Sequence, residues 1–210
     1  MIFGWDISTS VIGITVLDND GNFVKSSYID LRKVDGGIFE KATVAESQLH
    51  KFFYENVDGD SVHYIEDRLG NFSAGKSMLQ VLMMLAAFNA VISYMLKKLP
   101  GCEIHHIHPS SVKAVMKVEG LVIPKGADKK ALTLAFVQRK EPSFPVPLNR
   151  NDKPQPYCYD MADSYIVAKA GFIKSYEARA QAETPPVRTP RGRAKEGGRV
   201  RLPLPEVQTP

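Results

Sequence analysis

The stretch MIFGWDIS, residues 1–8, decides the fold because it contains a short apolar run with an acid, Asp6, near its end. Apolar side chains on both faces predict a strand at the centre of a sheet. A second apolar run covers residues 11–17, and the turn sequence NDGN at residues 19–22 separates it from the alternating residues 23–31. Such turn residues join antiparallel strands, so the chain is predicted to begin with a three-stranded meander.

Beyond the meander, predicted helices and strands alternate along the chain. Apolar spacings of three and four residues predict the helices, and short apolar runs predict the strands. The predicted elements are a helix over residues 40–56, a strand over 62–66, a helix over 73–98, a strand over 103–108, and helices over 110–118, 128–140 and 157–179. With the meander they predict an α/β domain whose five-stranded mixed sheet is flanked by helices.

The composition is that of an ordinary globular protein, with 210 residues of which 44% are hydrophobic and 24% charged. Two cysteines, Cys102 and Cys158, are too few for a disulfide framework or a four-thiolate zinc site, and they suit a reducing compartment. The sequence contains no run of roughly 18 unbroken apolar residues and no basic region ahead of an apolar run at its start. We therefore expect a cytoplasmic protein without a membrane partner.

Most of the net charge of +4 lies in residues 181–210, which hold six basic and three acidic side chains. The same segment contains six prolines, three glycines and few large apolar residues, so it cannot offset the entropy of its own ordering. We predict a domain over residues 1–180 and a flexible basic Pro/Gly/Arg-rich tail over residues 181–210. The tail is either a solubilising extension or an arm that contacts nucleic acid.

Four acids stand out by their position. Asp6 lies at the end of the first predicted strand and Glu66 at the end of the fourth, while Asp160 and Asp163 are three apart and share one face of the last helix. Carboxylates that converge at such places repel each other unless cations compensate them, and Mg²⁺ or Mn²⁺ prefers oxygen ligands. Two such ions can hydrolyse a phosphodiester. In the alternative interpretation, each acid only ends a strand or caps a helix.

These motifs, in this order and spacing, resemble the RNase H-like nuclease superfamily and, within it, the RuvC-type Holliday-junction resolvases. The resemblance covers residues 1 to about 175. Its carriers are FGWDIS at residues 3–8, YIE at 64–66, the long helix from residue 73, HIHPSSVK at 106–113 and DMADSY at 160–165. The proline-rich stretch over residues 141–156 and the basic tail depart from the family pattern.

The resemblance implies an RNase H-like fold and a Mg²⁺-dependent endonuclease that resolves four-way (Holliday) or other branched DNA junctions in recombination and repair. It implies a homodimer in the cytoplasm of a bacterium or a phage-infected cell, with no small-molecule cofactor. By this similarity, two Mg²⁺ ions per active site, for which Mn²⁺ can substitute, would be bound by the catalytic residues Asp6, Glu66, Asp160 and Asp163.

The predicted DNA-binding residues are basic or aromatic. Phe72 falls where the family often places an aromatic wedge, although Leu69 is also available there. The others are predicted to contact the DNA backbone by charge, and they are Lys76, Lys113, Lys117, Lys129 and Lys130.

Two features leave further questions open. GNFSAGKS at residues 70–77 matches the P-loop pattern, so an NTP-binding enzyme is an alternative function, as is a nuclease-fold protein that binds DNA without cutting it. The helix over residues 73–98 is apolar on most sides and is predicted to be central and buried. Its apolar bulk exceeds what one small sheet can cover, which predicts a dimer.

Overall fold

The computed structural model describes residues 1–57, 59–67 and 76–183, except for the side chains of residues 76–78 and 181–183. The strands are β1 (Ile2–Ile7), β2 (Val11–Leu17), β3 (Phe23–Asp30), β4 (Ser61–Glu66) and β5 (Cys102–Ile107). The helices are α1 (Ile38–Asn56), α2 (Lys76–Lys97), α3 (Pro109–Val118), α4 (Lys129–Lys140) and α5 (Tyr157–Glu183). Helix α5 passes the predicted domain end at residue 180, and residues 184–210 of the predicted tail lie outside the described residues.

The five strands form one mixed sheet in the order β3-β2-β1-β4-β5. Strands β1, β2 and β3 pair antiparallel, whereas β4 pairs parallel to both β1 and β5. Parallel neighbours need a long crossover, and helices α1 and α2 provide the two that this sheet requires. The predicted fold class, an antiparallel meander followed by two parallel strands, is confirmed.

Helices cover both faces of the sheet, with α1 and α2 on one side and α3, α4 and α5 on the other. Successive side chains of β1 point alternately into these two layers. Phe3, Trp5 and Ile7 are buried in the core beneath α1 and α2. Gly4 and Asp6 therefore face α5, which places a carboxylate inside the second layer.

Helix α5 lies unusually close to the sheet because two glycines of the sheet have no side chain. A Cβ added at Gly4 would overlap the backbone carbonyl of Ser164, and one added at Gly13 would overlap that of Asp160. Thr15 and Ser164 connect the two layers by a hydrogen bond between their hydroxyls of 2.8 Å. This contact fixes the start of α5, with its acids, against β1 and β2.

A histidine is stacked within the other layer. The ring of His63 on β4 lies 4.5 Å from that of Phe3 between centroids, and the Trp5 indole N–H donates to His63 Nδ1 at 3.0 Å. His63 Nε2 lies 2.9 Å from Ser61 Oγ, so the neutral ring keeps its proton on Nε2 and donates it to that hydroxyl. Burial, followed by the charge of the N-terminal ammonium, lowers the pKa of His63 to about 3.

The prediction that the long apolar helix is central and buried is wrong for one side of α2. Phe88, Ile92 and Leu96 are buried, because only this face meets α1 and the sheet. By length and hydropathy alone, Leu79–Lys97 is the one described segment that could cross a membrane, and core helices of soluble proteins pass the same test. The large exposed apolar side chains in the described part of α2 are those of Leu79, Val81, Met83, Met84 and Tyr94.

The packing of α5 on the sheet predicts the effect of a single methyl group. Gly13→Ala should lower the free energy of unfolding by about 2–3 kcal/mol, since its Cβ meets backbone that cannot rotate away. Gly37→Ala is the control, because its Cβ meets only the flexible Glu40 carboxylate at 3.4 Å, and it should cost less than about 1 kcal/mol. Denaturant unfolding followed by Trp5 fluorescence measures both, and equal losses would contradict this packing.

The lowered pKa of His63 predicts a loss of stability in acid. The His63 ring takes up a proton near its ordinary pKa of 6.5 in the unfolded chain, but only near 3 in the folded chain. Above pH 6.5 the ring is neutral in both states and the folded protein keeps its full stability. As the pH falls from 6.5 towards 3, protonation favours the unfolded chain and the free energy of unfolding decreases. The free energy of unfolding should fall by about 1.4 kcal/mol per pH unit for this group. His63→Gln should flatten the dependence between about pH 6 and pH 4. The control His50→Gln, on the exposed side of α1, should leave the pH dependence as steep as in the wild type. An unchanged slope in His63→Gln would show that His63 does not cause the loss of stability in acid.

Candidate active site

One cavity of about 520 Å³ brings together all four acids that the sequence singles out. Asp6 and Glu66 meet there because the parallel register pairs Trp5 with Ile65, so that the next residue on each strand lies beside the other. Asp160 and Asp163 reach the same cavity from the start of α5. The remaining lining residues are Ser8, Ser10, Val11, Arg32, Lys129, Lys130, Pro156 and Tyr159.

The acids of this carboxylate cavity differ in their burial. Asp6 is only 6% exposed, and the Asp163 side chain buries an Oδ1 atom that has no hydrogen-bond partner among the described residues. Burial raises the pKa of Asp163, and the charges of Glu66 and Asp160 act in the same direction, against Lys129 and Lys130. The ionised form of Asp163 is therefore stabilised by any additional positive charge in the cavity.

A lysine side chain supplies part of the positive charge that compensates these carboxylates. Lys130 Nζ donates to Asp160 Oδ1 at 3.1 Å. Burial alone would lower the pKa of Lys130, but the carboxylates of Asp160, Asp163 and Asp6 outweigh it and raise that pKa. Lys130 thus stays protonated and holds one of the acids.

Arg32 is a residue of this cavity that the sequence interpretation missed. Its guanidinium donates to both oxygens of Asp30, at 2.9 and 2.6 Å, and this hydrogen bonding lowers the pKa of Asp30 to about 2. The salt bridge is about two-fifths exposed and lies where the chain leaves β3. An arginine two residues after an aspartate at a strand end was the available signal, but nothing in the sequence brings that strand end near Asp160.

The donor set of the carboxylate cavity fits a divalent metal in its chemistry. All four acids offer oxygen ligands, and the buried Oδ1 of Asp163 without a partner is the atom that a cation would satisfy. In residues 1–57, 59–67 and 76–183, however, no three His, Cys, Asp or Glu side chains are already arranged as a set that could hold a metal ion. Lys130 occupies one oxygen of Asp160 instead, so metal binding requires these side chains to move.

The other predicted site residues divide between two cavities. Lys129 and Lys130 line the carboxylate cavity, and Lys113 and Lys117 line a neighbouring one of about 470 Å³ to which Lys129 and Glu66 also belong. Phe72 and Leu69 lie outside the described residues, as does the side chain of Lys76. The P-loop pattern at residues 70–77 lies outside them too, apart from the backbone of its last two residues.

Comparison with known proteins gives a match in structure and none in sequence. No family model matches the chain, and no curated protein sequence matches it significantly. A structure of Thermus thermophilus RuvC superposes with a TM-score of 0.54 at 12% identity, covering 84% of this chain and 97% of that one. T. thermophilus RuvC in complex with a Holliday junction substrate gives a TM-score of 0.51 at 11% identity, covering 83% and 94%.

At this level of identity, the likeness establishes the fold. Both superpositions cover more than four-fifths of this chain, whose five-stranded mixed sheet carries helices on both faces. The resemblance inferred from short sequence motifs is therefore confirmed as a resemblance of fold, and the chain has the RNase H-like fold of the RuvC structures.

Proposed function

We propose that this chain is a metal-dependent endonuclease that cuts branched DNA, and four-way junctions in particular, by phosphodiester hydrolysis. The observation that carries the proposal is the convergence of Asp6, Glu66, Asp160 and Asp163 on one cavity in a RuvC-like fold. One of the similar structures is RuvC bound to a Holliday junction substrate, which supports branched DNA as the substrate class.

The same four acids are the proposed ligands of two Mg²⁺ ions, with Mn²⁺ able to substitute. When bound, such ions provide an activated water and stabilise the leaving oxygen of the phosphodiester. Asp6 would hold these ions from the central strand β1, beside Glu66 on the neighbouring strand and opposite Asp160 and Asp163 of α5. The unsatisfied, buried oxygen of Asp163 supports its role as a ligand rather than as a structural cap.

The lysines around the cavity have two proposed tasks. Lys130 compensates Asp160 in the free protein, and it would be available to bind a DNA phosphate if a metal ion took over that compensation. Lys113, Lys117 and Lys129 are exposed and bind phosphates of the DNA backbone by charge, without reading the sequence. Affinity for DNA should therefore fall as the salt concentration rises.

The exposed face of α2 supports a homodimer. Leu79, Met83 and Tyr94 expose 47%, 63% and 62% of their surface on one helix, a concentration of apolar surface that is unusual in a monomer. A two-fold symmetric pair would present two carboxylate cavities to two opposed strands of a junction. A reducing bacterial or phage-infected cytoplasm fits the two buried, free thiols of Cys102 and Cys158.

The alternative functions gain less from the structure. An NTP-binding enzyme would rest on residues 70–77, most of which lie outside the described residues. A DNA-binding protein that does not cut would use the same fold, and only an activity assay separates it from a nuclease.

The central experiment removes one charge from the carboxylate cavity. Asp6→Asn should reduce Mg²⁺-dependent cleavage of a labelled four-way junction on the order of 10³-fold or more, because the amide is a poor ligand for a hard cation. Binding of the junction should be retained or strengthened, since the loss of a carboxylate lowers repulsion of the phosphates. Gel electrophoresis and fluorescence anisotropy measure the two effects.

The matched control is Asp20→Asn in the exposed turn between β2 and β3, which should cut as the wild type does. Cleavage by Asp6→Asn at the wild-type rate would show that the acids are not the metal site. A wild-type protein that binds junctions but leaves them intact with both Mg²⁺ and Mn²⁺ would establish the non-cleaving alternative.

A charge on the apolar face of α2 tests the dimer. Met83→Glu should convert the protein from dimer to monomer at micromolar concentration, because pairing would bury an uncompensated carboxylate. Phe39→Glu, at a 70% exposed apolar position on α1, is the control and should stay dimeric. Light scattering gives the mass of each, and a wild-type monomer would refute the proposed pairing.

A further inference from the structure

The cavity of about 470 Å³ beside the carboxylate cavity shares Glu66 with the proposed active site, but its apolar lining has no part in the proposed hydrolysis. Its floor is aliphatic, formed by Val112 and Met116 of α3, Leu121 and Ile166, all of them buried. Pockets of this volume typically accept one small molecule or one group of a larger ligand. We call it the aliphatic pocket.

The rim of the aliphatic pocket is cationic. Lys113 and Lys117 are four residues apart on α3, so they share one side of that helix, and Lys129, the first residue of α4, also lines the pocket. All three lysines are exposed above the apolar floor. The lining thus combines an apolar floor with three lysines and one acid, Glu66, and this excess of positive charge matches a ligand with a flat apolar body and an anionic linkage, as a nucleotide has.

The aliphatic pocket adjoins the carboxylate cavity. Glu66 and Lys129 line both of them, so the two spaces share a wall. A nucleic-acid strand whose phosphate lies among the four acids and whose path crosses this shared wall would place its neighbouring nucleotide over the aliphatic pocket. The two cavities are therefore arranged for adjacent positions of one strand.

We propose that the aliphatic pocket binds one nucleobase of the cut strand, unstacked from its neighbours, next to the phosphodiester that is hydrolysed. The base packs on the aliphatic floor, while Lys113 and Lys117 contact the phosphates that flank it. Burial of the base against apolar side chains offsets the cost of unstacking it. The pocket would thus give the enzyme a preference for the base at the cut, and this inference rests on the proposed function.

The test places 2-aminopurine, whose emission rises when it is unstacked, at each position around the cut of a four-way junction. Binding to the Asp6→Asn chain, which leaves the strand intact, should raise the emission about two-fold or more at one position. Val122→Glu in the same chain should abolish this rise, because it puts a carboxylate on the wall of the aliphatic pocket. Val118→Glu, with the same charge at an 87% exposed position outside the pocket lining, should keep it.

Val122 is 65% exposed, so its replacement spares the core, and Val122→Met provides a second variant that narrows the pocket without adding charge. An emission rise at no position, or one that survives both Val122 variants while the junction stays bound, overturns the inference. Cleavage of the junction by the wild type in Mg²⁺ tests the proposed function separately. If the junction is cut but the emission rises at no position, the proposed binding of a base in the aliphatic pocket is refuted and the nuclease function stands. If the junction is neither bound nor cut, both proposals are refuted.

Discussion

The contact between helix α5 and the glycines of β1 and β2 is the constraint on which the rest of the structure depends. Gly4 and Gly13 let the helix backbone approach to a distance that any side chain would prevent. Asp160 and Asp163 stand at the start of that helix, so the same approach brings them to Asp6 on the central strand. The carboxylate cavity thus depends on a detail of core packing, namely that Gly4 and Gly13 have no Cβ atom.

The convergence of these acids costs stability, and the cavity shows how the chain limits that cost. Lys130 holds Asp160, and Lys129 lowers the cost of ionising Asp163 without removing it. Asp163 retains a raised pKa and a buried oxygen without a partner among the described residues, so the compensation is incomplete. Proteins commonly keep such unfavourable electrostatics where function requires them. A bound divalent cation would complete the compensation, and this links the electrostatics of the cavity to the proposed chemistry.

Much of the fold could be read from the sequence because periodicity and turn residues are local signals. The positions of Asp6 at the end of the first apolar strand and of Glu66 at the end of the fourth also pointed to these acids, since parallel neighbours end at the same edge of a sheet. The close approach of α5, the place of Arg32 and the aliphatic pocket could not be predicted, because each depends on how distant elements pack. The exposed side of α2 was missed for the same reason: apolar composition does not tell which faces find a partner.

The central claim is that the four carboxylates, brought together by the packing of α5, form a divalent metal site. Anomalous diffraction from crystals of the protein grown with Mn²⁺ tests it most directly, because it locates the ion without an assay of activity. The account predicts an anomalous peak in the carboxylate cavity, bonded to oxygens of Asp6, Glu66, Asp160 and Asp163, with Lys130 displaced from Asp160. Manganese bound only elsewhere, with Lys130 still on Asp160, would contradict it.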